Sequence, residues 1–181
     1  MIPSFISALI LFIPAFIANP SAVITGGHGI IDRGKMLAGK RILGDHKTWS
    51  GFLGGVGAGI LVGLIINYLF LLLNIRELVF SAYFPIVLSM ILTLSFFSMV
   101  GDLVGSFIKR RLGRAPGKES LFLDQYPFAL VSLAFFYLIF RARAYSIFPW
   151  EGIIAIIIVT PLIHRAVNIL GYKLKMKSVP Y

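Results

Sequence analysis

The chain of 181 residues has no cysteine, three histidines, and 7 acidic side chains. Without cysteine there is no disulfide framework, no thiolate metal site and no thiol nucleophile. His28 and His46 have no partner at metal-ligand spacing, which argues against a zinc centre. Charged residues make up only 13% of the chain, against about 25% in soluble domains. That shortage excludes an ordinary soluble enzyme or nucleic-acid-binding module. What fills the chain is apolar: 58% hydrophobic and 14% aromatic residues, with a mean hydropathy of +0.91. The 17 Lys and Arg outnumber the acids and give a net charge of +10. Cations on so apolar a chain face anionic headgroups or phosphates beside a membrane.

Five charge-poor apolar runs predict five transmembrane helices in an all-α integral membrane protein. They cover Ile2 to about Ile17, Gly51 to Leu73, about Ala82 to Val104, Tyr126 to Phe140, and about Trp150 to Leu170. Pro3 and Pro20 read as the ends of the first run, which lacks the basic start of a signal peptide. The fourth run is short for a bilayer core of roughly 30 Å. It must continue through Arg141 and Arg143 with those side chains snorkelling, or else thin the bilayer. Thr160-Pro161 is the one hint of a broken span.

The cations sort by side. Arg33, Lys35, Lys40, Arg41 and Lys47 lie in the loop of about 18–50, and Lys109, Arg110, Arg111, Arg114 and Lys118 in the loop of about 105–125. Arg165, Lys173, Lys175 and Lys177 lie at the end. Five spans put these three regions on one face, which the positive-inside rule makes cytoplasmic, leaving the N-terminus outside and the C-terminus inside. Residues 1–181 read as one polytopic domain, since a 33-residue loop is too short for its own core. Gly51, Gly55, Gly59 and Gly63, each four apart, form a smooth ridge for close helix packing.

Chemistry gathers where the third span leaves the bilayer. Asp102, Ser106, Lys109 and Arg110 share a helix face. A carboxylate for a hard divalent ion, a hydroxyl and two cations suit a metal-bound polyphosphate. A plain helix end with snorkelling cations explains Lys109 and Arg110 but not Asp102. If spans three and four form a hairpin, Asp124 returns to the depth of Asp102, and the two carboxylates can hold Mg²⁺. Asp124 also reads as an N-cap of span four, with Pro127 in its first turn. Lys47 and Thr48 open the second span, where free N–H groups favour anions; the alternative is a cap beside an interfacial Trp49. His164 and Asn168, four apart, either face this site or bond between helices.

Three blocks resemble the CDP-archaeol synthase family, archaeal relatives of the CTP-dependent lipid cytidylyltransferases. They are Asp32-Arg33-Gly34-Lys35 with Gly39 to Gly51; Gly101-Asp102 to Arg111 with Leu123-Asp124-Gln125; and Thr160-Pro161 through His164 and Asn168 to Lys175 and Val179-Pro180. The second block is also similar to the bacterial phosphatidate cytidylyltransferase signature, although Arg114-Ala115 stands where that group has Lys-Asp. The resemblance implies Asp102 and Asp124 as Mg²⁺ ligands and catalytic groups together with Lys109. It implies Ser106, Lys109 and Arg110 beside CTP, where Lys47 and Thr48 are the further nucleotide-binding candidates. The implied enzyme is a multi-pass protein of the cell membrane with a cytoplasmic active site. It would transfer CMP from CTP to an isoprenoid ether lipid phosphate, unsaturated archaetidic acid, giving CDP-archaeol and pyrophosphate. The competing class is a small transporter or flippase for an anionic substrate, which would gather polar groups at mid-membrane instead.

Overall fold

A computed structural model describes residues 2–114, 120–173 and 175. Lys118, Lys177, Ala115 and Val179-Pro180, named above, lie outside the described residues. The elements are α1 (Ser4–Leu11), α2 (Ile13–Thr25), a hairpin of β1 (Met36–Leu37) and β2 (Lys40–Arg41), and α3 (Trp49–Leu72). They continue with a 3-10 turn (Arg76–Leu78), α4 (Phe84–Arg111), α5 (Leu121–Gln125), α6 (Pro127–Phe140), α7 (Ala142–Ile147) and α8 (Trp150–Lys173). Four stretches among the described residues are long and apolar enough to cross a membrane: Ser4–Thr25, Trp49–Leu72, Phe84–Arg111 and Trp150–Lys173. The fourth predicted run, Tyr126 to Phe140, becomes α6 (Pro127–Phe140), which is apolar but shorter than a full crossing.

Three local expectations change. Pro20 does not end the first run; it lies inside α2, which continues to Thr25. The missing N–H costs one helix bond, but tertiary packing outweighs it. A methyl group on Gly51 would lie 2.9 Å from the Ala22 carbonyl oxygen, and one on Gly55 would lie 2.6 Å from that of Ala18. The α2 backbone is therefore seated directly on the glycine ridge of α3. On its other flank the ridge receives α4, with Met99 against Gly55 and Ile91 against Gly63.

The fourth run does not continue as a helix through Arg141. That residue takes φ +41°, a left-handed conformation that stops α6, and α7 starts anew at Ala142. The break lets Phe148 fold back, fully buried, against Phe136 and Phe12. The Tyr137 hydroxyl donates to the Phe148 carbonyl and closes the turn. Aromatic burial outweighs the cost of one unfavourable residue. Nor does Pro161 break α8, which runs unbroken from Trp150 to Lys173 while the Thr160 hydroxyl donates to the Ile156 carbonyl (2.6 Å).

The main core lies between α1, α2, α4, α6 and α8, around Phe12, Met90, Leu94, Phe136 and Ile156. Small residues set the α4–α6 distance. Gly101 lies against the backbone of Pro127 and Phe128, and the buried Ser132 hydroxyl donates to the Leu94 carbonyl (3.0 Å). This close approach fixes the cytoplasm-predicted end of α4 beside α5, where the candidate residues meet.

Candidate functional site

Two Lys–Asp ion pairs form at one end of the bundle. Lys47 Nζ lies 2.5 Å from Asp102 Oδ2, linking the start of α3 to α4 across 55 residues of sequence. Lys109 Nζ pairs with Asp124 Oδ1, linking α4 to α5. Both pairs are only partly exposed, with side-chain exposure of 25% and 28% in the first and 16% and 20% in the second. They are therefore reachable by a ligand yet shielded enough for their charges to interact strongly.

Asp102 and Lys109 are seven residues apart, two turns along one face of α4. The backbone just before Asp124 packs on α4 between the levels of these two residues. The Leu123 carbonyl oxygen would lie 2.6 Å from a methyl group on Gly105, and Gly105 is three residues, about 4.5 Å of rise, from Asp102. The turn thus brings the chain next to Asp124 back to the stretch of α4 between Asp102 and Lys109. Asp124 lies inside α5, not at the N-cap of α6, a position held by Tyr126. Its second oxygen accepts from the Ser120 N–H (2.6 Å) and holds the first turn of α5.

Ser106 and Arg110 lie on the inward side of α4 and are buried at 3% and 6% exposure. Arg110 donates through Nη1 to the Arg114 carbonyl (2.5 Å), while its buried Nε meets no acceptor among the described residues. A guanidinium N–H left unsatisfied in a buried position costs on the order of 1–3 kcal/mol. A phosphate oxygen would remove that cost.

Thr48 is placed differently from Lys47. Its hydroxyl oxygen accepts from Gly51 N (3.2 Å) and Gly27 N (3.3 Å), capping α3 and tying both ends of the preceding loop together. His164 and Asn168 bond to each other on α8 (3.2 Å).

Residues 26–48 form a built loop. Asp32, buried at 6% exposure, accepts from Arg41 Nη2 (2.8 Å) and from the N–H groups of Leu43 (2.9 Å), Gly44 (3.1 Å) and Gly34 (3.1 Å). The Arg41 guanidinium, helped by those N–H groups, holds this carboxyl well below the usual carboxylate range despite its burial. Arg41 is in turn pushed above its ordinary value by Asp32 and Asp45. Ile31 N donates to the Lys47 carbonyl (2.9 Å) and Trp49 N to the Gly29 carbonyl (2.8 Å), so backbone bonds tie the Asp32 knot to the segment that carries Lys47.

Sequence reasoning missed Arg111. Its Nη2 donates to the carbonyls of Lys40 (3.1 Å) and Arg41 (2.6 Å), and Lys40 Nζ returns a bond to the Arg111 carbonyl (3.2 Å). The signal was only one more arginine in a basic run.

Among the described residues no three metal-ligating side chains come together. The protein donors on offer are hard carboxylate oxygens, one or two in number. Mg²⁺ takes that set when substrate phosphates and waters complete its shell. That donor chemistry fits Mg²⁺.

Apolar spans around a phosphate-suited cluster at one end define a multi-pass membrane enzyme class that works beside the lipid. A family model described as CDP-archaeol synthase, CarS-like, matches residues 1–181, and the chain belongs to that family. It is similar to the CDP-archaeol synthases of Picrophilus torridus (49% identity, 96% of this chain and 95% of the relative) and Pyrococcus furiosus (42%, 93% of each). It is 39% identical to that of Archaeoglobus fulgidus over the full length of both. A solved structure of an intramembrane enzyme for archaeal membrane lipid biosynthesis matches with TM-score 0.64 and 29% identity, covering 96% of this chain and 95% of that one.

Proposed function

We propose that this chain transfers CMP from CTP to a dialkylglycerol phosphate held in the bilayer, releasing pyrophosphate and leaving a CDP-lipid, CDP-archaeol in the family's terms. The observation that carries this reading is the pair of Lys–Asp bridges beside a buried, under-bonded arginine. Each bridge is neutral, and each lysine is one bond away from a better partner. A polyphosphate gives Lys47 and Lys109 denser negative charge than a single carboxylate does, so the cations turn to phosphate oxygens and release Asp102 and Asp124.

Those freed carboxylates are the residues that hold Mg²⁺, which when bound supplies charge neutralisation at the reacting phosphates. Arg110 offers its buried Nε to the same anion, and Ser106 offers a hydroxyl from the inner face of α4. In the reaction a lipid phosphate oxygen forms the new bond to the α-phosphorus of CTP. The α–β bridging bond breaks, and its electron pair leaves with pyrophosphate. A phosphate monoester is largely dianionic at neutral pH, since its second pKa is about 6, so no strong protein base is needed. Positioning and charge compensation do the catalysis.

The topology proposed with this is five passes, with α6 as the short one, the N-terminus outside and the site on the cytoplasmic face of the cell membrane. Fourteen of the 17 Lys and Arg then lie inside. A transporter loses its main support, because α8 is unbroken at Pro161. The test is release of pyrophosphate from labelled CTP by protein in lipid vesicles, with and without a dialkylglycerol phosphate. Release that needs both the lipid phosphate and Mg²⁺ is expected. CTP-independent movement of an anion across the vesicle, with no pyrophosphate formed, would overturn the proposal.

A further inference from the structure

The β1–β2 hairpin has no part in the proposed chemistry, yet it is held firmly. On α4 the buried face carries Gly101, Gly105, Ser106 and Arg110, while Val104 and Ile108 on the other side are exposed at 39% and 36%. At 100° per residue, Arg111 falls on that outer, lipid-directed face with Val104. An arginine there ordinarily snorkels to water. Arg111 instead lies over the Phe107 ring (5.4 Å) and donates to the carbonyls of Leu37, Lys40 and Arg41. The hairpin is thereby pinned against the outer side of the α4 end. Its turn, Ala38-Gly39, has both residues at positive φ (47° and 72°), the tight geometry of a two-residue hairpin loop.

The ribbon exposes Met36 at 60% and Leu37 at 49%, and the neighbouring Leu112 at 65%. Arg33 and Lys35 precede these side chains in the chain and are exposed as well, while the exposed Lys40 is held at the Arg111 carbonyl (3.2 Å). Trp49, itself half exposed, stands at the start of α3 beside the same loop, where an indole marks a membrane–water interface. Apolar tips rimmed by cations match an anionic lipid surface, with side chains in the acyl boundary and ammonium groups among the phosphates.

We propose that the Met36–Arg41 hairpin is an interfacial anchor that sets Met36 and Leu37 into the inner leaflet beside α4, fixing the height of the loop that ends in Lys47. The proposal does not depend on the reaction assigned above. Because the chain has no cysteine, single Met36→Cys, Leu37→Cys and His46→Cys variants can each carry one nitroxide label. Full-length labelled protein is placed in vesicles of zwitterionic lipid containing an anionic phospholipid, and collisions with oxygen and with a water-soluble nickel chelate are measured. Labels at 36 and 37 are expected to meet oxygen more than nickel, with the order reversed at 46. Nickel accessibility at 36 and 37 equal to that at 46 would overturn the anchor. Protease resistance within residues 26–48 retained by each labelled variant, read separately, shows that the loop is folded.

Discussion

The two ends of the bundle handle polar groups in opposite ways. At one end Lys47, Asp102, Lys109 and Asp124 meet as ions, side chain to side chain, in partly exposed pairs. At the other, the buried Asn67 of α3 spends its amide on backbone: Nδ2 donates to the Ser81 carbonyl (3.1 Å), and Oδ1 accepts from Phe80 N (2.8 Å). The neutral amide closes a turn and carries no charge for a ligand to replace. The ion pairs also link α3, α4 and α5, but either partner can be replaced by a ligand charge. That difference, more than residue type, separates an end that holds the fold from one that can bind.

The comparison is broken most sharply at the carboxylates. Asp102→Asn or Asp124→Asn should cut Mg²⁺-dependent turnover by at least about 100-fold, the scale for losing one charge-stabilising group. The protein should still extract in detergent as a folded species; undiminished turnover in either variant would exclude that aspartate as a metal ligand. Next, Lys109→Ala should raise the CTP concentration for half-maximal rate by about tenfold, near the 1.4 kcal/mol of one charged contact. A change confined to the lipid dependence would place Lys109 at the other substrate.

Asn67→Ala sharpens the contrast from the other end. Leaving the Phe80 N–H and Ser81 carbonyl unpaired should cost about 1–3 kcal/mol of stability, visible as a lower thermal midpoint. The CTP requirement of the folded fraction should not move. The smallest effect concerns Asp32. Its carboxyl is depressed in the folded loop, so the stabilisation is fully present above the ordinary carboxylate value of about 3.9 and is lost as pH falls below it. Protease cleavage within residues 26–48 should therefore stay constant from neutral pH to about 4 and rise only below that. An increase already at pH 6 would contradict the Asp32 knot.

Much of this was legible in the sequence wherever one helix decided it. Four-residue spacing exposed the glycine ridge of α3, and the third apolar run with its polar extension became α4, Phe84–Arg111. The spacing of Asp102, Ser106, Lys109 and Arg110 gave their shared side of α4 for the same reason. What stayed hidden depends on partners distant in sequence. Pro20 reads as a terminator until the α3 glycines let its helix run on. Arg141 reads as a snorkelling helix residue until Phe148 needs burial between Phe136 and Phe12. Of the two readings of Thr48, the cap is the one that Gly27 and Gly51 make visible, and nothing local announces that Lys47 meets Asp102 or that Arg111 grips the hairpin.

The central claim is that these bridged lysines and aspartates are the resting form of a metal–polyphosphate site. Calorimetric titration of CTP into detergent-solubilised protein, with and without Mg²⁺, tests it most directly. Mg²⁺ should tighten CTP binding to the unaltered protein, and Asp102→Asn and Asp124→Asn should each abolish most of that gain while keeping Mg²⁺-free binding. An undiminished Mg²⁺ effect in both variants would contradict the claim.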